Sequence, residues 1–488
     1  MSKFGKVIKK FPRTFWVANS MEMFERIAWY GLFTVLALYL TGSTDEGALG
    51  FSQSEKGLMM GIVTAILYLL PIITGAIADR VGYKKMLVIA YAVYSSGYLM
   101  MSIFTNYYSV FAAFLWVALG AALFKPIISA TVTKTTDKET SSIGFGIFYM
   151  IVNVGGFIGP FIASKLRHMN DGNGWKFVFY MSVASILINM ILVLFLYKEP
   201  DREKSDKKLS EVIKNSLNNI LTALKDTKLL IFLIIMVGFW TMFNQLFYTL
   251  PNFIDQWIDT SVLYDAVHNI SPWLASVVGT EHHDIAPEMI INLDAGMIVL
   301  IQVIISTIVM RLKPVNAIIS GIIVNAIGIG LAFATHNPFY VIIGIVIFAI
   351  GEMASSPKFT EYVGRIAPKG KEALYMGTSF LPVAAGNFFT GFLSGNVYQS
   401  ISDKTSLLKN EIAERGLQLP EISKEFTQNQ YFDAAAKQMG MGKTELTQYL
   451  WDTYHPSHIW YIFSAIGVVT VIGLFIYDKF VLKSKNGD

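Results

Sequence analysis

Residues 68–91 read YLLPIITGAIADRVGYKKMLVIAY, in which a short charged segment separates two apolar runs. The apolar runs extend over about 55–79 and 84–105, and each is long enough to cross a bilayer core, which needs roughly 20 residues. The charges between them, Arg80, Lys84 and Lys85, are costly inside lipid and therefore mark a turn at the membrane surface. The segment predicts a hairpin of two membrane-spanning helices.

The same pattern recurs along the whole chain. Of the 488 residues, 53% are hydrophobic and only 15% are charged, with a mean hydropathy of +0.48, whereas soluble domains carry about 25% charged residues. The first apolar run is too long for a cleaved signal peptide and contains three charges, so it should stay in the mature protein. We therefore expect an all-α membrane protein with twelve transmembrane helices, at about 15–41, 55–79, 84–105, 107–133, 141–165, 174–197, 229–254, 290–310, 314–335, 338–360, 372–399 and 459–480.

The basic residues between the runs predict the orientation. They follow every even-numbered run, as in Arg80, Lys134, Lys198, Arg311, Arg365 and Lys479. In contrast, no Lys or Arg occurs between Lys228 and Arg311, although seven acidic residues do. Basic connections stay in the cytoplasm, so we expect a multi-pass protein of a bacterial cell membrane with both termini cytoplasmic.

The runs form two sets of six. We expect an N-terminal half at 1–197, a partly amphipathic cytoplasmic linker at 198–228, and a C-terminal half at 229–488. A polar insertion at about 400–458, between runs eleven and twelve, should lie on the outer side as a small packed cap. Two six-helix halves indicate a pseudo-symmetric carrier whose site lies near the bilayer midplane between them.

Span one carries charged side chains inside a membrane-spanning segment, where burying a charge is energetically unfavourable. Glu22 and Arg26 are four residues apart and share a helical face with Glu25 close by, while span four supplies Lys125 next to Pro126. These two carboxylates, one guanidinium and one ammonium form a nearly neutral cluster. Protonation of one carboxylate would change which acidic and basic groups are paired. This pattern favours proton coupling through Glu22, Glu25, Arg26 and Lys125, with a fixed structural network as the alternative.

The C-terminal half contributes acids of its own. Glu352 in span ten could face the first-half cluster across a cavity, which would suit a zwitterion, or could pair within its own half. Asp294, near the start of span eight, lies either in the cavity or at the water boundary. Lys358 and Glu361 are three residues apart and more simply form a pair within one helix.

Several segments resemble a known family. GAIADRVGYKK at 75–85 is similar to the major facilitator superfamily signature, with Gly75, Asp79, Arg80 and Gly82 as its structural residues. EMFERIAWYG at 22–31 resembles the E-x-x-E-R motif of proton-coupled oligopeptide transporters (POT or PTR family). Further matching segments are YLLP at 68–71, FKP at 124–126, FYMIVNVGGFIGP at 148–160, FWTMFNQ at 239–245, GEMASSPKFTEYVGRIAP at 351–368 and MGTSFLPVAAGN at 376–387.

The resemblance implies the major facilitator fold and symport of di- or tripeptides with protons. It implies that Arg26 and Lys125 take the peptide carboxylate, that Glu352 holds the amino terminus, and that Tyr30, Tyr68, Asn153 and Trp240 line the pocket. Four substrate-side positions depart from the family pattern, where an acid, an asparagine, a tryptophan and an apolar residue are usual: Asn244, Asp294, Ser379 and Lys358. The chain therefore resembles a divergent branch with a changed pocket.

Other functions remain as alternatives. A proton-coupled carrier of a non-peptide solute, or an exporter, would share the fold, although Arg26 and Lys125 disfavour a cationic cargo. The sequence shows no nucleophile or metal-ligand spacing typical of a membrane enzyme, and it contains no cysteine. A non-transporting nutrient sensor would differ only in lacking uptake. We expect no cofactor or metal beyond the proton as coupling ion, no nucleic acid partner, and a monomer in the lipid bilayer.

Overall fold

The computed structural model describes residues 8–137, 140–169, 174–201 and 209–482, and every regular element within these ranges is helical. The outermost basic residues of both termini and residues 202–208 of the expected linker lie outside the described residues. Ten described helices are long and apolar enough to cross a membrane, and a bent pair makes an eleventh. The interrupted helices between residues 372 and 401 provide the twelfth, which confirms the predicted all-α fold with twelve spans.

The spans keep the predicted order and shift by a few residues at their ends. Their bounds are Arg13–Thr41 (span 1), Gln53–Leu69 with Pro71–Val81 (span 2), Tyr83–Ile103 (span 3), Tyr107–Lys134 (span 4), Ser141–Arg167 (span 5), Trp175–Phe195 (span 6), Thr227–Phe243 with Gln245–Tyr248 and Leu250–Trp257 (span 7), Pro287–Ile291 with Leu293–Val309 (span 8), Pro314–Phe333 (span 9), Pro338–Ile366 (span 10), Glu372–Thr378 with Phe380–Phe392, Leu393–Val397 and Tyr398–Ile401 (span 11), and Ile459–Ile476 with Tyr477–Leu482 (span 12). We call the side where span 1 begins the termini face and the opposite side the cap face.

Four spans are broken rather than continuous. Span 2 bends by 44° before Pro71, because proline has no N–H to donate to the preceding turn. Span 7 breaks at Asn244 and Thr249, span 8 at Asn292, and span 11 at Ser379. Broken spans leave backbone groups unpaired at membrane depth, and this is tolerated only where they are buried in protein or line a cavity.

Each half has its own buried hydrophobic core. One cluster of buried side chains runs from Val17 to Tyr197, and a second runs from Ala223 to Tyr477. Tyr248 of span 7 is the one member of the first cluster that comes from the C-terminal half. The two halves are therefore distinct packing units joined along a narrower contact.

The halves meet most closely on the cap face, where spans 2 and 11 cross through glycines. A Cβ atom added to Gly61 would lie 3.0 Å from the Cα atom of Gly391, and one added to Gly57 would overlap the carbonyl oxygen of Gly391. Small residues let two membrane helices approach to backbone contact. The glycines therefore allow the cap-face side of the protein to close.

The segment between spans 11 and 12 forms a three-helix cap over Lys404–Glu414, Gln428–Met439 and Lys443–Tyr454. Glu411, which is 4% exposed, accepts hydrogen bonds from Arg415, Tyr449 and Tyr454 at 2.5, 2.8 and 2.8 Å. Burial alone would raise the pKa of Glu411, but these hydrogen bonds and the charge of Arg415 outweigh it and hold the pKa below its ordinary value. The carboxylate thus stabilises the cap in its ionised form.

The cap is tied to both halves. Asp403 accepts hydrogen bonds from Gln53 of span 2 at 3.1 Å and from Gln256 of span 7 at 2.8 Å. Asn429 donates to Glu46, in the connection between spans 1 and 2, at 2.8 Å. These bonds hold the cap over the contact between the halves.

The connection between the halves contains a helix at Leu209–Ala223, which we call the linker helix. It packs against the end of span 2 and the beginning of span 11, so it touches both halves on the termini face. Leu217 and Leu221 remain exposed on it, as expected for an amphipathic helix at a membrane surface.

Candidate transport site

A central cavity of about 310 Å³ lies between the two halves. Spans 1, 2 and 5 supply one wall, and spans 7, 8, 10 and 11 supply the other. Ligand pockets of small molecules usually occupy about 300–1,000 Å³, so the cavity fits a small solute. The residues that line it include Tyr30, Tyr68, Tyr149, Asn153, Trp240, Asn244, Asp294, Glu352 and Asn387.

A larger vestibule of about 890 Å³ lies on the termini-face side of this cavity. It is lined by Glu22 and Lys125 from the N-terminal half, by Ser216 and Asn219 of the linker helix, and by residues at the start of span 11. Tyr68 lines both spaces and therefore forms the boundary between the central cavity and the vestibule.

The span-one charges form one buried network. Arg26 Nε lies 3.3 Å from Glu22 Oε1 and donates to Glu25 Oε2 at 2.5 Å. Tyr94 of span 3 donates to the other oxygen of Glu25 at 2.8 Å, and Glu25 has no exposed surface. Glu22 lines the vestibule, whereas Glu25 does not, so Glu22 is the carboxylate of this pair that protons from the vestibule can reach.

Lys125 stands apart from that network. Its ammonium lies 4.9 Å from the ring centroid of Tyr68 in a cation–π arrangement, and no ion pair within 4.0 Å joins it to a described carboxylate. Arg26 makes a similar contact with Tyr30, at 5.5 Å. The two cations therefore lie behind the aromatic rings that line the N-terminal wall of the central cavity.

The C-terminal wall carries the acids. Asp294 of span 8 and Glu352 of span 10 both line the central cavity on this wall. Asp294 is 4% exposed and thus lies inside the protein rather than at the water boundary. Lys358 and Glu361, further along span 10, form the expected intrahelical pair at 2.7 Å.

Five buried polar atoms that line the central cavity have no hydrogen-bond partner among the residues that the structure describes. All belong to the C-terminal half: Trp240 Nε1, Asn292 Oδ1, Asp294 Oδ1, Glu352 Oε2 and Ser356 Oγ. Leaving such groups unpaired costs about 1–3 kcal/mol each, so their concentration in one place indicates a surface that binds polar groups of a ligand.

Both side-chain amides that were predicted for the pocket, Asn153 and Asn244, line the central cavity. Asn153 donates to the carbonyl of Tyr149 at 2.8 Å, and Asn244 donates to that of Trp240 at 2.7 Å, which directs their oxygens elsewhere. Ser379 differs from the expectation, since it lies at the break of span 11, donates to the carbonyl of Met376 at 2.7 Å and lines neither space.

The signature residues hold the turn between spans 2 and 3. Gly82 has φ +111°, a conformation that side chains rarely adopt, and Asp79 accepts a hydrogen bond from Tyr83 at 2.8 Å. Gly75 packs against Pro126, to which an added Cβ would lie 3.3 Å away. Arg80 is exposed at this face. These positions shape the helix hairpin rather than the cavity.

Sequence reasoning missed several cavity residues. Tyr149 is one helical turn before Asn153, and Asn387 lies two turns beyond Ser379, so both could have been found by extending the predicted faces. Asn292 and Ser356 could not, because their exposure to the cavity depends on the break of span 8 and on the packing of span 10 against it.

On the cap-face side the cavity is closed by contacts between the halves. Arg167 of span 5 pairs with the fully buried Glu288 of span 8 at 2.8 Å. Lys56 of span 2, also fully buried, donates to the carbonyl of Tyr248 at 2.9 Å, just before the break of span 7. Asn292 donates to the carbonyl of Phe157 at 2.9 Å. The structure is thus open toward the termini face.

Comparison with known proteins gives relatives of one kind. The chain is 28% identical over 197 residues to "Dipeptide and tripeptide permease A" of Serratia proteamaculans, a match that covers 39% of this chain and 37% of the relative. It is 27% identical over 275 residues to "Di-/tripeptide transporter" of Lactococcus lactis subsp. lactis, covering 53% of this chain and 52% of the relative. The matches therefore span about half, or less, of the length of these relatives.

Solved structures match along almost the entire chain. "Crystal structure of peptide transporter POT in complex with sulfate" gives a TM-score of 0.68 at 16% identity, covering 97% of this chain and 95% of that one. A POT family transporter in complex with 5-aminolevulinic acid gives 0.68 at 17% identity, with 97% and 99% covered. At such identities the likeness establishes the fold.

A family model supplies the assignment. The model of the Major Facilitator Superfamily matches residues 20–280, more than half of the chain, and this stretch contains the signature turn and the span-one charges. Together with the twelve broken and unbroken spans, the match shows that this chain belongs to the major facilitator superfamily.

Proposed function

We propose that the protein is a secondary active transporter that carries di- or tripeptides, or peptide-like zwitterions, together with protons by alternating access. One observation carries this proposal: the central cavity has unpartnered acceptors and two acids on its C-terminal wall and two cations behind its N-terminal wall. A zwitterion presents one charge to each wall. In this arrangement the ammonium of the substrate faces Asp294 and Glu352, and the carboxylate faces Lys125 and Arg26.

The relatives point to the same substrates. Two of them are named for di- and tripeptides, and the solved structures of similar fold are peptide transporters in complex with small polar ligands. These names describe other proteins. The cavity of this chain supports the same class of substrate because it is small, lined by aromatic rings and charged at both walls.

Proton coupling rests on the span-one network. Arg26 Nε lies 3.3 Å from Glu22 and 2.5 Å from Glu25. The positive charge of the guanidinium is therefore neutralised while both carboxylates are ionised. Protonation of Glu22 raises the net charge of Glu22, Glu25 and Arg26 from one negative unit to zero, so a substrate carboxylate that approaches Arg26 meets less repulsion. Binding of proton and substrate would therefore support each other, as symport requires.

Alternating access follows from the two faces. In the present state the cap face is sealed by the Arg167–Glu288 pair and by Lys56, and the vestibule opens on the termini face. The opposite state requires these inter-half contacts to separate while spans 2 and 11 close at the linker helix. With the termini in the cytoplasm, as the basic connections predict, the structure corresponds to the inward-facing state of a monomeric carrier.

A second candidate is a proton-coupled carrier of a non-peptide amphoteric solute. The observation in its favour is that the C-terminal wall has two acids, Asp294 and Glu352, where one would hold an amino terminus, together with the amide of Asn244 where the resemblance expects an acid. The solved neighbour with 5-aminolevulinic acid shows that a fold of this kind accepts a solute that is not a peptide.

The test is uptake into proteoliposomes driven by an imposed pH gradient. Labelled dialanine and trialanine are compared with 5-aminolevulinic acid, with and without a protonophore. Accumulation of the peptides that the protonophore abolishes supports the proposal. Accumulation of the non-peptide solute alone would replace it by the second candidate, and uptake that ignores the gradient would refute proton coupling.

A further inference from the structure

The connection between spans 7 and 8 forms a helical hairpin on the cap face. Its two helices run over Ser261–Ile270 and Pro272–Val278, and we call them together the cap-face hairpin. Ser271 alone joins them in an extended conformation, because the residue before a proline is disfavoured in the helical region. Pro272 then begins the second helix, where its missing N–H is not needed. This sharp turn places the residues on either side of Ser271 at the tip of the hairpin.

One side of the hairpin packs on the rest of the protein. Leu263 of the first helix and Ala275 of the second are buried. The ring of Tyr264 stacks on His283, in the segment that leads to span 8, with the ring centroids 5.0 Å apart. The hairpin therefore has a fixed orientation, and its tip is held in one place.

The hairpin also contacts the N-terminal half. Lys165 of span 5 donates to the carbonyl of Gly279 at 2.7 Å and to that of Ser276 at 3.3 Å. A cation at the C-terminal end of a helix is favourable, because the last carbonyls carry partial negative charge. The second hairpin helix is thus one partner in a contact between the halves.

Large apolar side chains point outward at the tip. Ile270 is 84% exposed, Trp273 is 72% exposed and Leu274 is 39% exposed. Single exposed hydrophobic residues are ordinary on protein surfaces, but these three lie within five successive positions and one of them is a tryptophan. Such a patch indicates contact with an apolar partner.

The position of the patch favours lipid as that partner. The first hairpin helix packs against span 10, which begins at the cap face with Pro338. The rings of Phe339 and Tyr340, in the first turn of span 10, are exposed as well. Aromatic side chains are enriched where a membrane protein passes through the lipid headgroups. The tip of the hairpin therefore continues the aromatic belt of the lipid-facing surface.

The charged residues agree with this orientation. The two hairpin helices contain no Lys or Arg, and their one acidic residue is Asp265. At 3.6 residues per turn, Asp265 lies roughly 140° around the first helix from Ile270. Asp265 is exposed, and a charge is unfavourable in lipid, so this face of the helix belongs in water. The hairpin is thus amphipathic, as helices that lie in a membrane interface are.

We propose that the tip of the cap-face hairpin is an interfacial anchor, which inserts Ile270, Trp273 and Leu274 among the lipid headgroups of the leaflet on the cap-face side. The anchor holds the hairpin at the membrane surface, so Lys165 is the partner that withdraws when the halves separate at this face. The inference does not depend on the transported solute, because no residue of the two hairpin helices lines the central cavity.

The test is the accessibility of spin labels on single cysteines, which needs no removal of native cysteines because the chain has none. Nitroxides at Ile270→Cys and Trp273→Cys are measured in vesicles of phosphatidylethanolamine and phosphatidylglycerol. Power saturation compares collisions with oxygen, which concentrates in lipid, and with nickel–EDDA, which stays in water. Asp265→Cys on the same hairpin is the water control, and Val303→Cys, an exposed position within span 8, is the lipid control.

The expected ratio of oxygen to nickel–EDDA collisions at both tip positions is several-fold above that at Asp265→Cys and approaches that at Val303→Cys. A ratio equal to that of Asp265→Cys would overturn the proposal. Exclusion of both reagents would also overturn it, because the patch would then be covered by protein, such as a second copy of the chain. Ile270→Cys keeps Trp273 and decides the question alone if Trp273→Cys does not fold.

Discussion

Replacing Arg167 by Gln should open the cap face of the transporter. Arg167 pairs at 2.8 Å with Glu288, whose side chain is fully buried, and the pair joins span 5 of one half to span 8 of the other. Removing one partner of a buried ion pair costs about 3–5 kcal/mol, because the remaining charge is left uncompensated. In the state open at the cap face both groups would be in water, where such a pair is worth about 0–1 kcal/mol.

The change should therefore destabilise only the state closed at the cap face. The difference is about 2–5 kcal/mol, and at 1.4 kcal/mol per factor of ten it shifts the ratio of open to closed molecules by roughly 30- to 4,000-fold.

The assay can use spin labels without removing native cysteines, because the chain contains none. Labels at Tyr108→Cys and Thr453→Cys are on exposed residues of the two halves at the cap face, so their distance reports its opening. Double electron–electron resonance measures the distance between the two labels. In Arg167→Gln a longer distance should become dominant. Arg365→Gln, which removes an exposed ion pair within span 10, is the control and should leave the distances unchanged. An unchanged distance distribution in Arg167→Gln would refute the assignment of this pair as a closing contact.

Four further predictions concern the site, the contact between the halves and the cap. Glu22→Gln should abolish gradient-driven accumulation in proteoliposomes while counterflow exchange persists, and surviving accumulation would contradict the proton assignment. Lys125→Gln should weaken binding of dialanine about tenfold or more but leave binding of its C-terminal amide nearly unchanged, whereas Lys85→Gln, an exposed lysine of the same half, should alter neither. Gly61→Leu should prevent the close approach of spans 2 and 11, so the spin-label distance across the cap face should lengthen; a wild-type distance would show that this approach is dispensable. Because the pKa of Glu411 is depressed, its stabilisation of the cap is fully present above the ordinary glutamate pKa and is lost as pH falls through the lower folded value. The protection factors of the cap amides, which correct for slower intrinsic exchange at low pH, should therefore fall below about pH 4.5; equal protection factors at pH 6 and pH 3 would contradict this.

Much of the fold was predictable because lipid imposes simple rules. Runs of roughly 20 apolar residues and basic connections predicted all twelve spans, and spacing along one helix predicted both the Glu22–Arg26 contact and the Lys358–Glu361 pair. Local patterns succeed here because the partners lie within one turn of the same helix.

Contacts between side chains of different spans could not be predicted from spacing along one helix. Lys125 lines the same vestibule as Glu22, but its ammonium lies over the ring of Tyr68 and within 4.0 Å of no described carboxylate, a contact that spacing along one helix could not predict. The position of Asp294 and Glu352 on one cavity wall depends on how spans 8 and 10 pack, since the two residues are 58 positions apart in the chain. The breaks of spans 7, 8 and 11 also follow from packing around the cavity and not from an isolated sequence signal, apart from Pro251 beside Thr249.

The most direct test of the central claim is whether substrate moves protons. Proteoliposomes containing the purified protein and a pH-sensitive dye in the lumen are given dialanine outside, at equal pH on both sides and with the membrane potential clamped by potassium and valinomycin. Coupled symport predicts that the lumen acidifies with the same time course as peptide entry, and that Glu22→Gln liposomes do not acidify. Peptide entry without acidification would contradict proton-coupled symport.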